Sequence, residues 1–585
     1  MKTVKVRALG IVLFSVLFSV WCSGREHVLF KNGHSAYSIV LPEDASTSEK
    51  TAARELHEYL RQIGDAELPV LTASRVKGPA IYVGFSDRTA LLPGVSKPAA
   101  DDDSFTYRNR GRNLYIWGGS ERGTMYGVFS FLEQQLGVRW YSPEKTVVPH
   151  LDSWGFRKLD HSESPALMHR QTNYYSAAKH PAWDSHNRLN ALWDPVINEY
   201  GKISAYWGAH TMGYFIKPEE FFQAHPEYFS LIDGKRVPNA QCCLSNPDVL
   251  QICKERLLKT IDENPDNWVY SLSQCDNQKP CTCENCLALE EKYGGHSGIL
   301  LWFVNQVADE VKKVHPEKYV GTFAYQYTRQ VPKGIVPRDN VVIRLCDIEC
   351  CFAHPLGTCP RNASFMHDFA EWGKICDKVF IWDYVVNYAQ YLAPFPNFSV
   401  LAPNIRTFRD NHAIGVFEEA QYQSTVAEFA ELRAWVLAKL LWDPEQDTEA
   451  LVKDFISGYY GSVAPYIQAY YEMTQALVKE DTHFNIYFKH GNPLYTEAFI
   501  SKAAQLLDQA RSAAADDSER LEVDKVRMQI LYLKTLRNKE KSLQDGTFEE
   551  FRDLVLKTGA RISESRNFAK FLEVNGLPAL PGAGK

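Results

Sequence analysis

Between residues 165 and 425, short apolar runs alternate with amphipathic stretches. The runs 168–175, 205–211, 268–274, 320–327, 340–346, 379–384 and 413–418 are rich in β-branched and aromatic residues and read as strands. Helical spacing marks 184–192, 246–260, 298–313 and 364–376 between them. Strand–helix alternation of this kind predicts a parallel sheet, and its length predicts a central (β/α)8 TIM-like barrel over 160–425. Only seven strands are marked, so the eighth is expected near Val196.

The flanks read differently. Residues 25–155 form a small α/β pattern, with a capped helix over 46–63, a hairpin across 104–118 and a helix over 122–136. Its apolar helix residues Tyr126, Phe129, Phe131 and Leu132 are core positions, and this domain gathers no catalytic set. Beyond 426 the periodicity is helical throughout, which predicts a structural helical domain over 426–577 with a loose tail after Pro578. The whole chain is thus α/β, in three parts.

At the N-terminus, Lys2, Lys5 and Arg7 precede an apolar run from Leu9 to Trp21, and small residues follow at Ser23 and Gly24. This is the layout of a signal peptide over 1–24, too short to span a bilayer comfortably. The protein is expected to be exported: periplasmic, secreted, or held at the cell surface as a lipoprotein through Cys22. Trp21 is bulky where lipoprotein signals prefer a small residue. No later run is long enough for a transmembrane segment.

Composition narrows the chemistry. A formal charge of −7, with no long basic run past the N-terminus, argues against nucleic acid as a partner. No dinucleotide fingerprint or Gly-x-Ser-x-Gly elbow is present, so no cofactor is expected. The 13 cysteines are clustered. Cys281-x-Cys283-x-x-Cys286 has the spacing of a structural zinc site, with a fourth ligand from Cys242, Cys243 or Cys275. A local disulfide or packed thiols fit the same spacing.

The predicted strands end on carboxyls, at Asp276, at Asp347 and Glu349, at Asp383, and at Glu418 and Glu419. Barrel enzymes keep their chemistry at such strand ends. Hydrolysis of a glycosidic bond needs a proton donor and a second group at the anomeric carbon, normally two carboxyls from different strands. The catalytic expectation falls on Asp276, Asp347, Glu349, Asp383 and Glu418; a two-residue spacing puts Asp347 and Glu349 on one face if the strand continues. Asn173, Tyr175, His210, Tyr325, Tyr327, Trp382 and Tyr384 end or flank the same runs and supply the flat rings and polar edges that a sugar needs.

The segment from Arg122 to Pro143 resembles the small domain that precedes the barrel in bacterial α-glucuronidases and β-hexosaminidases. His225 to Arg236, Cys243 to Val249, Ser271 to Asn277 with Cys281-Thr-Cys-Glu-Asn-Cys286, and Leu440-Leu-Trp-Asp-Pro444 resemble a family catalogued as domain of unknown function 4838, now glycoside hydrolase family 163. The resemblance implies a retaining endo-β-N-acetylglucosaminidase acting on N-glycans, with substrate assistance as one route. It also implies a general acid at Asp276 and a second carboxyl at Asp383, with Asp347 or Glu349 orienting an acetamido group. An α-glucuronidase-like hydrolase and a non-catalytic glycan-binding lipoprotein are the alternative readings.

Overall fold

The computed structural model describes residues 26–72, 75–192, 197–202 and 204–580. The expected signal segment, Cys22 and Val196 lie outside the described residues. The chain divides into two compact units.

The first unit runs to Ala166 and takes in 180–189 and 196–203. It holds a six-stranded mixed sheet with an antiparallel hairpin of Phe105–Arg110 and Asn113–Gly118. The helix Thr47–Gly64 starts in a capping box: Ser46 Oγ accepts from Glu49 N, and Glu49 Oε2 accepts from Ser46 N. The helix Gly123–Leu136 is apolar nearly all round because it is buried nearly all round.

The second unit takes in 167–179, 190–195 and 204–585. It holds eight parallel strands: β1 (His169–Thr172), β2 (Ala191–Leu192), β3 (Ser204–Trp207), β4 (Val269–Ser271), β5 (Tyr319–Ala324), β6 (Val341–Cys346), β7 (Val379–Tyr384) and β8 (Ala413–Glu419). Their order in the curled sheet is β1-β8-β7-β6-β5-β4-β3-β2. The two end strands are bridged by Asn190, whose N–H donates to Arg170 O at 3.2 Å and whose side-chain oxygen accepts from Arg170 N at 2.9 Å. The eighth strand is therefore Ala191–Leu192, within the span expected to be helical. The helix there covers only Pro181–His186, and Arg188 takes a left-handed φ of 63° that no helix continues through.

Contacts between strands that are not sheet neighbours identify the inner face. Tyr206 of β3 packs on Phe380 of β7, and the Arg344 guanidinium of β6 sits 4.2 Å from the Tyr206 ring, 4.7 Å from Trp382 and 4.9 Å from Phe417. Gly321 on β5 makes room for this filling: a Cβ there would stand 1.9 Å from the Tyr206 hydroxyl. Inward positions are therefore Gly321 and Phe323 on β5, Arg344 and Cys346 on β6, Phe380, Trp382 and Tyr384 on β7, and Phe417 and Glu419 on β8. Helices Pro247–Glu263, His296–Val314, Ala363–Gly373 and Phe398–Asp410 fall between the strands in sequence. From Ala430 the chain is helical and belongs to the same unit as the sheet. No helix among the described residues is long and apolar enough to cross a membrane.

Candidate active site

Register and alternation sort the strand-end carboxyls into two groups. Asp383 is in register with Glu418, Tyr384 with Glu419, and Cys346 with Trp382. Because Trp382 and Tyr384 face inward, Asp383 and Glu418 face outward. Asp347, the residue after Cys346, joins them. The three are sealed, at 0%, 3% and 0% exposure for Asp347, Asp383 and Glu418. Burial pushes Asp347 and Glu418 well above the usual carboxyl range, and the charge of Asp383 adds to it. Asp383 is itself raised to about 6 by burial, while its carboxyl neighbours Asp347 and Glu418 and the Tyr384 N–H, 2.7 Å from Oδ1, hold it down. Three buried carboxyls thus gather across β6, β7 and β8, and burial together with mutual repulsion favours their protonated forms.

Glu349 does not share the face of Asp347. The strand stops at Cys346, the chain turns, and Glu349 is half-exposed with Oε2 2.7 Å from Arg329 Nη1. Tyr327 is also re-aimed. β5 ends at Ala324, the 3-10 turn Gln326–Thr328 follows, and Tyr327 packs edge-on to His296 at 5.3 Å, away from Tyr325.

The inward group forms the mouth. Glu419 is partly exposed, and its Oε2 accepts from Trp382 Nε1 at 2.6 Å. Burial lifts its pKa to about 8; the Trp382 hydrogen bond and Tyr388 lower it, and the charge of Glu564 raises it. Trp382 and Tyr384 are stacked with centroids 6.5 Å apart, and Tyr388 meets Tyr384 edge-on at 5.9 Å. Asn173 follows β1 on the same inward parity as His169 and Gln171. Its N–H donates to Glu418 O, and its side-chain Oδ1 is buried without a hydrogen-bond partner. Tyr175 opens the short helix Tyr175–Ala178 and is half-buried.

Asp276 stands on the same mouth with its side chain 66% exposed. The loop after β4 is pinned by Gln241, whose Oε1 accepts from Cys275 N at 2.8 Å and whose Nε2 donates to Cys275 O and Asn277 O. His210, at a left-handed φ of 54°, donates from Nδ1 to Gln274 O at 2.8 Å and brings Nε2 to 3.9 Å from Asp276 Oδ1. The Tyr325 hydroxyl donates to the same Oδ1 at 3.2 Å. Tyr487 and Glu564, from the helical region, complete the set: both feel the charge of Asp276, and Tyr487 also feels Glu419 and Glu564. Beside them lies a cavity of about 370 Å³ whose lining includes Tyr388, Tyr487, His490, Tyr532 and Glu564. The mouth thus unites Asp276, His210, Tyr325, Trp382, Tyr384 and Asn173 of the expected residues, and adds Glu419, Tyr388, Tyr487 and Glu564.

The cysteine motif closes on itself. Sγ atoms of Cys243, Cys281, Cys283 and Cys286 lie within 4.8 Å of one another, with Cys243 at 3.7 Å from Cys283 and 3.8 Å from Cys286. Zinc–sulfur bonds of about 2.3 Å in a tetrahedron place sulfurs roughly 3.8 Å apart, so the four thiols fit a zinc ion. Of the three thiols expected as a fourth member, it is Cys243 that joins the group. These thiols flank the loop that carries Asp276 in sequence.

The family described as Domain of unknown function (DUF4838) matches residues 140–472. No curated protein matches the chain in sequence. Among solved structures, a family 115 4-O-methyl-α-glucuronidase with specificity for decorated arabinogalactans is similar at TM-score 0.56 and 12% identity, over 89% of this chain and 76% of that one. The chitobiase of Flavobacterium johnsoniae aligns at TM-score 0.43 and 11% identity, over 94% of both chains. An exo-β-N-acetylglucosaminidase of Vibrio harveyi aligns at 0.42 and 10–11% identity, over 76% of both. The first of these likenesses is one of fold.

Proposed function

This chain belongs to the DUF4838 family, and we propose that it is a glycoside hydrolase in which Glu419 is the proton donor and Asp276 the second carboxyl. The observation that carries the proposal is Glu419 itself. It is an inward, partly exposed carboxyl with a pKa of about 8, so at neutral pH it holds a proton where a leaving oxygen can reach it. Asp276 lies on the same rim, oriented by Tyr325 and His210. Trp382, Tyr384, Tyr388 and Tyr487 offer ring faces for the sugar.

We further propose that the substrate is an N-acetylglucosamine-containing glycan, cut internally. The 370 Å³ cavity shares Tyr388, Tyr487 and Glu564 with the mouth, which gives a glycan room beyond the cleaved bond. The Asp276 and Glu564 carboxyls beside the protonated Glu419 make the mouth acidic, which favours a neutral sugar over an anionic one. In the reaction, the acetamido oxygen attacks the anomeric carbon while the bond to the leaving oxygen breaks. Glu419 gives its proton to that oxygen, and Asp276 accepts the acetamido N–H and balances the positive charge of the oxazolinium. Water then adds to the anomeric carbon as its bond to the acetamido oxygen breaks and the acetamido group re-forms, Glu419 takes the water's proton, and the configuration is retained.

An α-glucuronidase-like activity is the second reading, favoured by the fold shared with the family 115 enzyme. A panel of N-glycoproteins and uronic acid-capped oligosaccharides, read by mass spectrometry, separates them. Release of intact N-glycans supports the first reading, loss of a terminal uronic acid supports the second, and inertness toward both panels refutes hydrolysis of either class. Export through residues 1–24, as a soluble or lipid-anchored protein, belongs to the same proposal and places the enzyme where such glycans are met.

A further inference from the structure

A second group of metal-type ligands lies in a different part of the fold. Cys351, His354 and Cys359 fall on the loop after β6, and His483 comes from the segment after the helix Ala464–Gln475. One ligand atom from each lies within 4.8 Å of the others. His483 Nδ1 stands 3.2 Å from Cys351 Sγ and 3.9 Å from Cys359 Sγ. Zinc bonds of about 2.0 Å to nitrogen and about 2.3 Å to sulfur place those atoms roughly 3.5 Å apart in a tetrahedron, between the two observed separations. Two thiols and two imidazoles thus converge on one point.

The surroundings are those of a built site. His354 donates from Nε2 to the Lys479 carbonyl at 3.1 Å, which fixes the tautomer that leaves Nδ1 with a lone pair for a metal. Asn362 accepts Cys351 N–H at 2.7 Å and donates to Cys351 O at 3.1 Å, so the loop holds the first thiol in place without metal. Cys351 and Cys359 are both buried. The imidazole rings of His354 and His483 meet edge-on at 5.0 Å. The spacing Cys351-x-x-His354-x4-Cys359 is a compact knuckle, and the fourth ligand arrives from more than a hundred residues later.

We propose that Cys351, His354, Cys359 and His483 bind a zinc ion that ties the loop after β6 to the segment 479–490. The tie has a structural consequence. Phe352 N–H donates to Phe484 O at 3.0 Å next to the ligands, and Tyr388 N–H donates to Ile486 O at 2.9 Å one step further on. Between Ile486 and Phe488, both buried, Tyr487 is turned out at 52% exposure toward Asp276 and Glu419. The ion therefore anchors the strip of chain that presents Tyr487 to the mouth. The proposal is independent of which glycan the mouth accepts.

The test is metal analysis of the intact chain. Inductively coupled plasma mass spectrometry of the purified protein, beside its His483→Gln and Cys359→Ser variants, is expected to show one zinc ion fewer per chain in each variant. Equal zinc in parent and variants overturns the proposal. Should the variants not fold, zinc K-edge absorption on the unaltered protein decides: imidazole nitrogen scattering beside sulfur supports the site, and sulfur-only ligation refutes it. Intact-mass analysis after alkylation gives a third reading, in which a Cys351–Cys359 disulfide also overturns it.

Discussion

At the scale of single residues, the function rests on which side of a strand each carboxyl occupies. Glu418 and Glu419 are adjacent, yet one is sealed behind β8 and the other reaches the mouth. Glu419→Gln is expected to lower kcat by about 10²–10⁴-fold with the fold intact by circular dichroism. Asp276→Asn is expected to lower it comparably, and Glu418→Gln by less than about tenfold, since its buried carboxyl already carries a proton. An inert Glu418→Gln beside an active Glu419→Gln in the same assay would reverse the assignment. The pH dependence carries a definite sign. The acid must be protonated, so kcat/KM is expected to fall as pH rises through about 8, the pKa of Glu419. Trp382→Phe removes the hydrogen bond that lowers that pKa, so its alkaline limb is expected to move to higher pH. Strand alternation was the available signal. Asp383 sits between Trp382 and Tyr384 in sequence, and in a strand that adjacency means opposite faces. Reading the aromatics and the acid as one group merged two faces into one.

At the scale of elements, the strands were legible because burial on both faces leaves near-continuous apolar runs. β7 has the expected bounds of 379–384, and the others differ by a few residues at their ends. β2 was not legible: two residues cannot express a period, and its hydrogen-bond partners come from β3 and, through Asn190, from β1. Turns also hid what strands showed. Tyr325 and Tyr327 have strand spacing, but the 3-10 turn at Gln326–Thr328 sends them to different places. The barrel filling makes its own prediction. Gly321→Ala drives a methyl into the Tyr206 hydroxyl, and urea unfolding is expected to show a loss of about 1–3 kcal/mol or more. An unchanged midpoint would mean that Tyr206 can move aside.

For the molecule as a whole, the helical region is more than a support. It contributes Tyr487 and Glu564 to the mouth, and both are far in sequence from Asp276. No local pattern marks them, since an exposed Tyr and a Glu after the helix Thr547–Thr558 are ordinary surface residues. The second unit also stores protons. Asp347, Asp383, Glu418 and Glu419 all have raised pKa values, at about 6 for Asp383 and about 8 for Glu419. A group that binds its proton more tightly when folded adds stability that is complete below its unfolded pKa of roughly 4 and is lost as pH rises through the folded value. The thermal midpoint is therefore expected to fall between pH 5 and pH 8, most steeply below about 6, where all four groups keep their protons only in the folded chain. A midpoint that rises over this window in a buffer series would exclude the protonated cluster.

By itself the chain's pattern of apolar runs determined that a parallel α/β sheet forms, roughly where its strands lie, and that Cys281, Cys283 and Cys286 act together, because periodicity and short spacing are local properties. Tertiary structure alone decided which carboxyl faces the mouth, that Cys243 completes the first sulfur cluster, and that His483 joins Cys351, His354 and Cys359. Those choices depend on curvature, register and chain return, which bring together groups whose separation along the sequence holds no record of their separation in space.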